Sequence, residues 1–358
     1  MKPVLFLTGQ VPAYRVGALA RLHEHEQIEV ALFGGHAKHA GAPFAGELPF
    51  PHRLVSPREP YALAASGRYR AVVCSTSGRL APLAAWAGGR RGHLALILWT
   101  SLWAHPRSAF HALSYLPLRR LYRSADAVVS YGPHVSAYVR ARGARNVHVA
   151  PQSVDNDFWR SAQVKPALEG WPDAALRFLF VGRPAREKGL QTLLGAWSAS
   201  GLRTPDAALM LVGVGSAPPG ARAPAGVMCL DPVSPQQLRN LYAAGDALIV
   251  PSIPTRTFRE PWGLVVNEAM NRGLPVISSD AVGAAAGGLV RDGRNGLVVA
   301  AGDERALAGA IERLAGDPQL RLRLGRAGEQ DVLAYSHDAW ARGFSQALAS
   351  VGLSRGRW

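Results

Sequence analysis

Apolar runs of five or six residues recur through the first half of the chain, at 3–8, 28–33, 71–75, 94–99, 126–131 and 146–150. Runs this short, with little polar alternation, predict strands buried on both faces. Between them, helical spacing is found at 15–25, 78–87, 108–123 and 132–142. The second half repeats the scheme, with strands expected at 177–181, 207–212, 226–230, 246–250, 274–278 and 296–299, and helices at 189–199, 235–244 and 264–272. Strands alternating with helices predict parallel sheets, so the expected class is α/β with two Rossmann-like, doubly wound halves. Residues 152–176 carry Asp155, Asn156, Pro166, Gly170 and Pro172, which suit a linker, and a cleft between the halves is expected to follow. From Asp303 the pattern turns helical, with Leu307, Ile311, Leu314, Leu320 and Leu324 at helical spacings. A last helix is predicted from His337 to Val351, its apolar face made by Trp340, Phe344 and Leu348.

Composition narrows the picture. A chain of 358 residues suits two domains of roughly 150 to 180 residues, each able to bury its own core. No apolar run approaches the roughly 20 residues that span a bilayer, and Met1 to Leu7 lacks a signal-peptide pattern, so a cytoplasmic protein is expected. Cys74 and Cys229 both fall in apolar runs, which favours buried thiols over a disulfide or a metal site. The net charge of +15 is uneven: residues 1–150 hold 18 Lys and Arg against 6 Asp and Glu, and the remainder holds 22 against 19. A net +12 in the first half points to an acidic partner, an anionic membrane surface or a phosphate-bearing acceptor, with an arginine-rich genome bias as the alternative. Nucleic acid is not expected, because no recognition motif accompanies the charge.

The richest chemistry lies in Arg259-Glu260-Pro261-Trp262-Gly263-Leu264 and on to Met270. Two carboxylates, Glu260 and Glu268, stand eight positions apart around a turn that opens a helix. Amides of Trp262, Gly263 and Leu264 would face an anion at that helix start. Each acid could accept hydrogen bonds from vicinal hydroxyls at opposite ends of one extended ligand. Upstream, a strand ends at Gly182-Arg183, and Lys188-Gly189 opens the next helix. Ligands in open α/β sheets bind at the carboxyl ends of strands, so both cations can reach a phosphate there.

The segments VGRPAREKGL, EPWGLVVNEAMNRGLPVISSD and VRDGRNGLVV, preceded by PQSVDNDFW, resemble retaining glycosyltransferases of family 4, which have the GT-B fold. The likeness runs through most of residues 150–335. It implies an N-terminal acceptor-side domain at 1–160, a nucleotide-sugar domain at 161–335, and a tail at 336–358 that crosses back to the first domain. It further implies that Arg183 and Lys188 bind the donor diphosphate beside Gly182, that Glu260 holds sugar hydroxyls, and that Glu268 holds the ribose. Transfer would proceed from a nucleoside-diphosphate sugar to a glycan or lipid-linked acceptor, with no cofactor and no metal. Asp155-Asn156-Asp157 belongs to the family's own motif and is not taken as a metal site. A nucleotide-sugar epimerase of the same architecture is the alternative.

In the first half, the loop after strand 3–8 holds Gly9, where relatives often have two adjacent glycines and this chain has Gly9-Gln10. Tyr14 and Arg15 are candidates to hold the acceptor, against a plain surface turn. His105, in the loop after strand 94–99, stands where the family places a histidine on the donor sugar, and His134 is a weaker candidate. Phe110, Leu113, Leu116, Leu121 and Tyr122 interleave with Arg107, Arg119, Arg120 and Arg123 in a basic amphipathic segment that could lie on an anionic membrane. Pro117 should kink it.

Overall fold

The computed structural model describes residues 1–34, 46–56, 58–76, 80–161, 173–215 and 224–356, and the chain divides into two compact units. Pro166, Gly170 and Pro172 of the expected linker, the start of the helix expected at 78–87, and the Phe110 side chain lie outside the described residues. Unit 1 comprises Met1–Asp155 with Tyr335–Trp358, and unit 2 comprises Asn156–Ala334.

Unit 1 begins with strand β1 (Val4–Thr8), helix α1 (Ala13–Glu26), strands β2 (Ile28–Leu32) and β3 (His52–Leu54), and helix α2 (Glu59–Ala65). It continues through β4 (Ala71–Ser75), α3 (Ala81–Arg91), β5 (Ala95–Thr100), α4 (Ala109–Ser124), β6 (Ala127–Ser130), α5 (Pro133–Arg140) and β7 (Val147–Val149). The strands form one parallel sheet in the order β3-β2-β1-β4-β5-β6-β7. Side chains alternate across it: Val4 and Phe6 face one apolar layer with Leu19 and Leu22 of α1, while Leu5 and Leu7 face another with Leu63, Ala85 and Val139. Neither β3 nor α2 was expected. His52-Arg53-Leu54 has exposed ends and Leu54 is 83% exposed, so this edge strand has no apolar run to announce it.

Unit 2 opens with α6 (Asn156–Arg160), so the expected linker starts as a helix. Trp159 is buried there and meets Tyr242 at 5.8 Å, which explains why the segment is ordered despite its polar composition. Then come β8 (Leu176–Val181), α7 (Leu190–Ala199), β9 (Ala207–Val212), β10 (Val227–Leu230), α8 (Pro235–Ala244), β11 (Ala247–Val250) and α9 (Val265–Met270). The unit ends with β12 (Val276–Ser279), α10 (Gly283–Ala286), β13 (Gly296–Val299), α11 (Glu304–Gly316) and α12 (Pro318–Asp331). Its six strands are parallel in the order β10-β9-β8-β11-β12-β13. Phe178 and Phe180 of β8 pack with Leu193 and Trp197 of α7 and Ile311 of α11.

The chain then returns to unit 1 as α13 (His337–Ser350), whose Trp340, Phe344 and Leu348 are buried in the layer of Phe6 and Trp99. Trp340 and Phe344 stack at 4.4 Å, and Phe6 lies 5.6 Å from Phe344. Helix α4 runs through Pro117, and the Leu113 carbonyl, which has no N–H partner there, lies on the solvent side where water can serve it. One detail departs from expectation. Cys74 is buried, but Cys229 is only partly so. Among the described residues no helix is long and apolar enough to cross a membrane.

A buried ion pair closes unit 1 at the amino ends of its strands. Arg70 donates to Glu26 Oε2 at 2.7 Å and to the carbonyls of Lys2, Glu26 and Leu353, while Ser354 donates to Glu26 Oε1 at 2.8 Å. Arg70→Ala would leave the Glu26 carboxylate, whose side chain is 1% exposed, without its cation. The expected loss is about 3–5 kcal/mol in a urea titration, and a loss below about 1 kcal/mol would contradict this role.

Candidate active site

In unit 2 the strand order reverses between β8 and β11, which pair in parallel through Ala247 with Phe178 and Leu248 with Leu179. That reversal leaves a crevice at the carboxyl ends of the two strands, where ligands of such sheets bind. Gly182, Arg183 and Lys188 follow β8, and Glu260, Trp262, Gly263 and Leu264 follow β11. Two loops, 72 residues apart between Lys188 and Glu260, therefore share one spot.

Their contact is an ion pair: Lys188 Nζ stands 2.5 Å from Glu260 Oε2, with the side chains 21% and 9% exposed. Ser252 donates a hydroxyl to the same carboxylate oxygen at 3.3 Å. The loops are fixed by backbone. Ile253 N–H donates to the Glu187 carbonyl at 2.9 Å, and Gly283 N–H donates to that of Glu260 at 3.1 Å. Gly189 has φ of 69°, and a Cβ there would lie 2.0 Å from the Pro251 carbonyl oxygen, so only glycine allows the Lys188 turn to seat on the β11 loop. At Gly182 a Cβ would come within 3.2 Å of the Phe180 ring, while the Lys188 stem would lie at an ordinary contact distance of 3.8 Å.

Arg183 is half exposed, with Nη2 3.5 Å from Glu187 Oε1. The Trp262 indole turns inward and donates to Asn267 Oδ1 at 2.7 Å, so the backbone is what this residue offers a ligand. Gly263 has φ of 89°, which turns the chain into α9. That helix spans six residues rather than the nine expected at 264–272, and residues 271–273 continue it only as a turn that closes at Gly273, with φ of 68°. A helix so short sums few peptide dipoles, and the lysine and arginine supply most of the positive charge.

Glu268 sits in the first turn of α9 and accepts a hydrogen bond from Tyr242 of α8 at 2.9 Å. Desolvation pushes its carboxyl up to about 7, and the Tyr242 hydroxyl acts against that rise. Tyr242, buried beside this acid, is held far above the usual phenol range.

Gly9 and His105 belong to unit 1. Gly9 follows β1 at the corresponding reversal of that sheet, close under the Gly34 carbonyl. His105 is engaged within its own surroundings: Nε2 lies 2.7 Å from the His111 carbonyl and Nδ1 3.3 Å from the Tyr138 hydroxyl. Its contacts are thus those of a group that shapes the loop before α4. His134 stacks edge-on to Trp103 at 5.0 Å. Arg15 is buried at 3% exposure, which rules out a plain surface turn at that point. Sequence reading missed Ser252 and Tyr242, because neither sits in a motif and Tyr242 meets Glu268 only 26 residues further along the chain. No group of three or more His, Cys, Asp or Glu is gathered for a metal among the described residues.

Comparison with known proteins places this geometry. Residues 175–317 match the family described as Glycosyl transferases group 1. The chain is 35% identical over 185 residues to D-inositol 3-phosphate glycosyltransferase of Nocardia farcinica, covering 51% of this chain and 33% of that protein. It is 30% identical over 236 residues to the lipopolysaccharide core biosynthesis glycosyltransferase LpsE of Rhizobium meliloti, covering 64% of this chain and 66% of LpsE. The chain thus spans about a third of the length of the Nocardia relative. Among solved structures, Anabaena Alr3699/HepE in complex with UDP and glucose superposes with a TM-score of 0.75 at 18% identity, covering 98% of this chain and all of that one. The two parallel-sheet α/β domains have the GT-B fold, and residues 175–317, with the Lys188–Glu260 pair at their strand reversal, form a domain of the Glycosyl transferases group 1 family.

Proposed function

We propose that the protein transfers a sugar from a nucleoside-diphosphate donor to an acceptor hydroxyl, with retention at the anomeric carbon, in the synthesis of a cell-surface glycan. The observation that carries this reading is the Lys188–Glu260 contact at the strand reversal of a group 1 glycosyltransferase domain. A group that is anionic on one side and hydroxylated on the other fits such a contact: a diphosphate against Lys188 and Arg183, a sugar against Glu260. Resemblance to LpsE supports a glycan acceptor, and the UDP and glucose held by HepE support the donor class.

In the proposed reaction the bond from the anomeric carbon to the diphosphate breaks as the acceptor oxygen bonds to the same face. The acceptor proton passes to the departing phosphate oxygen. Arg183 and Lys188 meet charge that grows on the leaving group, which is where fixed cations lower a barrier most and where a metal ion is then not required. Glu260 orients the sugar. Glu268, as carboxylate, accepts from the ribose hydroxyls.

The membrane reading gains a surface. On α4, Leu113 and Leu116 are 81% and 68% exposed and fall on the side of Arg119 and Arg123. Apolar side chains flanked by arginines suit an anionic bilayer surface, which would bring the protein to a lipid-linked acceptor at the cytoplasmic face.

Mass spectrometry of products from a panel of sugar nucleotides, with and without a lipid-linked glycan acceptor, tests the reaction. Acceptor-dependent transfer is expected, and Lys188→Ala should lower kcat at saturating donor by about 100-fold or more. Epimerised donor without acceptor, or full turnover by the variant, would contradict the assignment. Protonating Glu268 removes its charge and turns one of its oxygens into a donor, which weakens its acceptance from the ribose hydroxyls, so below pH 7 the nucleoside diphosphate should bind more weakly. With a carboxyl near 7, Kd should be about tenfold higher at pH 6 than at pH 8. Calorimetry should find this slope absent in Glu268→Gln; an equal slope in both would exclude the ribose role. Flotation with vesicles at low salt should show binding to anionic but not neutral lipid, reduced at least fivefold in Leu113→Ser/Leu116→Ser. Equal binding to both lipids would remove the membrane contact.

A further inference from the structure

Unit 1 buries a cation that no side chain among the described residues neutralises. Arg15, in the first turn of α1, is 3% exposed, and its guanidinium carbon lies 5.0 Å from the Trp340 ring and 5.4 Å from that of Trp99. One terminal nitrogen, Nη2, donates to Gln152 Oε1. The other, Nη1, is buried without a hydrogen-bond partner. Among the described residues no carboxylate pairs with Arg15. A buried guanidinium without a counter-charge is costly unless its N–H groups find acceptors.

Further unmet polar atoms lie in the same neighbourhood. They are the indole N–H groups of Trp99 and Trp340, the Ser153 hydroxyl and Nε2 of His337. Trp99 and Trp340 meet edge to face at 5.7 Å, and Ser153, fully buried, follows Gln152 in the chain. His337 packs on α1, where a Cβ at Gly17 would stand 2.5 Å from its ring, and it feels Asp155, Arg15, Asp338 and Arg21. Of the two acids, Asp338 is paired with Arg21, and Asp155 is exposed. A cation, two indole N–H groups and a hydroxyl form a set dominated by donors, and buried donors are paired in nearly all folded proteins. What satisfies such a set is an anion with several acceptor oxygens.

Position agrees with chemistry. Trp99 is the penultimate residue of β5, Gln152 and Ser153 follow β7, and α1 follows β1, so the cluster stands at the carboxyl ends of the strands, the ligand-binding side of a parallel sheet. Helix α1 is 14 residues long, has no acid in its first turn and no side-chain cap at Pro12, so its positive end is left uncompensated. Ala13 is exposed and Tyr14 partly exposed, so the turn that carries Arg15 lies at the surface of the unit.

We propose that Arg15 is the centre of an oxyanion-binding site in unit 1, which takes the phosphate or carboxylate group of a ligand other than the donor nucleotide, with Ser153 and the indoles of Trp99 and Trp340 as supporting donors. The site draws only on unit 1 and does not depend on the donor reading. In the proposed reaction its occupant is an anionic group on the acceptor.

Thermal shift of the full chain with inorganic phosphate and, separately, acetate, each against sodium chloride at equal ionic strength, tests this. Either oxyanion should raise Tm saturably in the wild type and in Lys188→Ala, and the better of the two identifies the group. Apparent affinity should fall at least fivefold in Arg15→Met, Ser153→Ala and Trp340→Phe. Should Arg15→Met not fold, the other two variants decide. No stabilisation beyond chloride, unchanged affinity in both Ser153→Ala and Trp340→Phe, or stabilisation lost in Lys188→Ala would overturn the site.

Discussion

The contact between Lys188 and Glu260 is what the donor side of this protein depends on. It joins two loops from neighbouring parallel strands, β8 and β11, at the point where the sheet's order reverses. Neither charge would be stable there alone. Glu260 is 8% exposed, and burying a carboxylate is costly unless it is paired, while Lys188 gains an anchor for a long side chain. The pair exists because backbone brings the loops together first. Gly189 seats under the Pro251 carbonyl, and the amide of Ile253 bonds the carbonyl of Glu187. Such stitching leaves the two charges preorganised, so a ligand with a diphosphate and a sugar meets groups already in place.

Glu268 lives under a different rule. It has a phenol for a partner instead of a cation, and desolvation lifts its carboxyl into the neutral range. Two glutamates eight residues apart thus differ in character, one paired with a lysine and one, beside a phenol, poised to titrate. Their environments set this difference, as the letters alone are identical.

The fold was largely legible because a parallel sheet buries each central strand on both faces, and runs such as Phe178 to Val181 or Ala207 to Val212 have few other readings. The edge strand His52–Leu54 escaped notice for the converse reason, since an edge needs no apolar run. Helix α10 is four small residues, Gly283 to Ala286, too short to show a period. At the site, spacing pointed to Arg183, Lys188, Glu260 and Glu268, yet the partners that define their chemistry lie far along the chain. Tyr242 precedes Glu268 by 26 residues, and Trp340 lies on the returning helix far from the buried Arg15 it covers. Long-range pairing of this kind leaves no local signature. His105 illustrates the opposite case, a suggestive histidine whose ring nitrogens bond His111 and Tyr138.

A crystal structure of the full chain with a nucleoside-diphosphate sugar measures the central claim most directly. The account predicts diphosphate oxygens within hydrogen-bond distance of Lys188 and Arg183, sugar hydroxyls on Glu260, and the ribose on Glu268. A nucleotide bound away from the β8–β11 reversal, with Lys188 and Glu260 still paired and untouched, would contradict it.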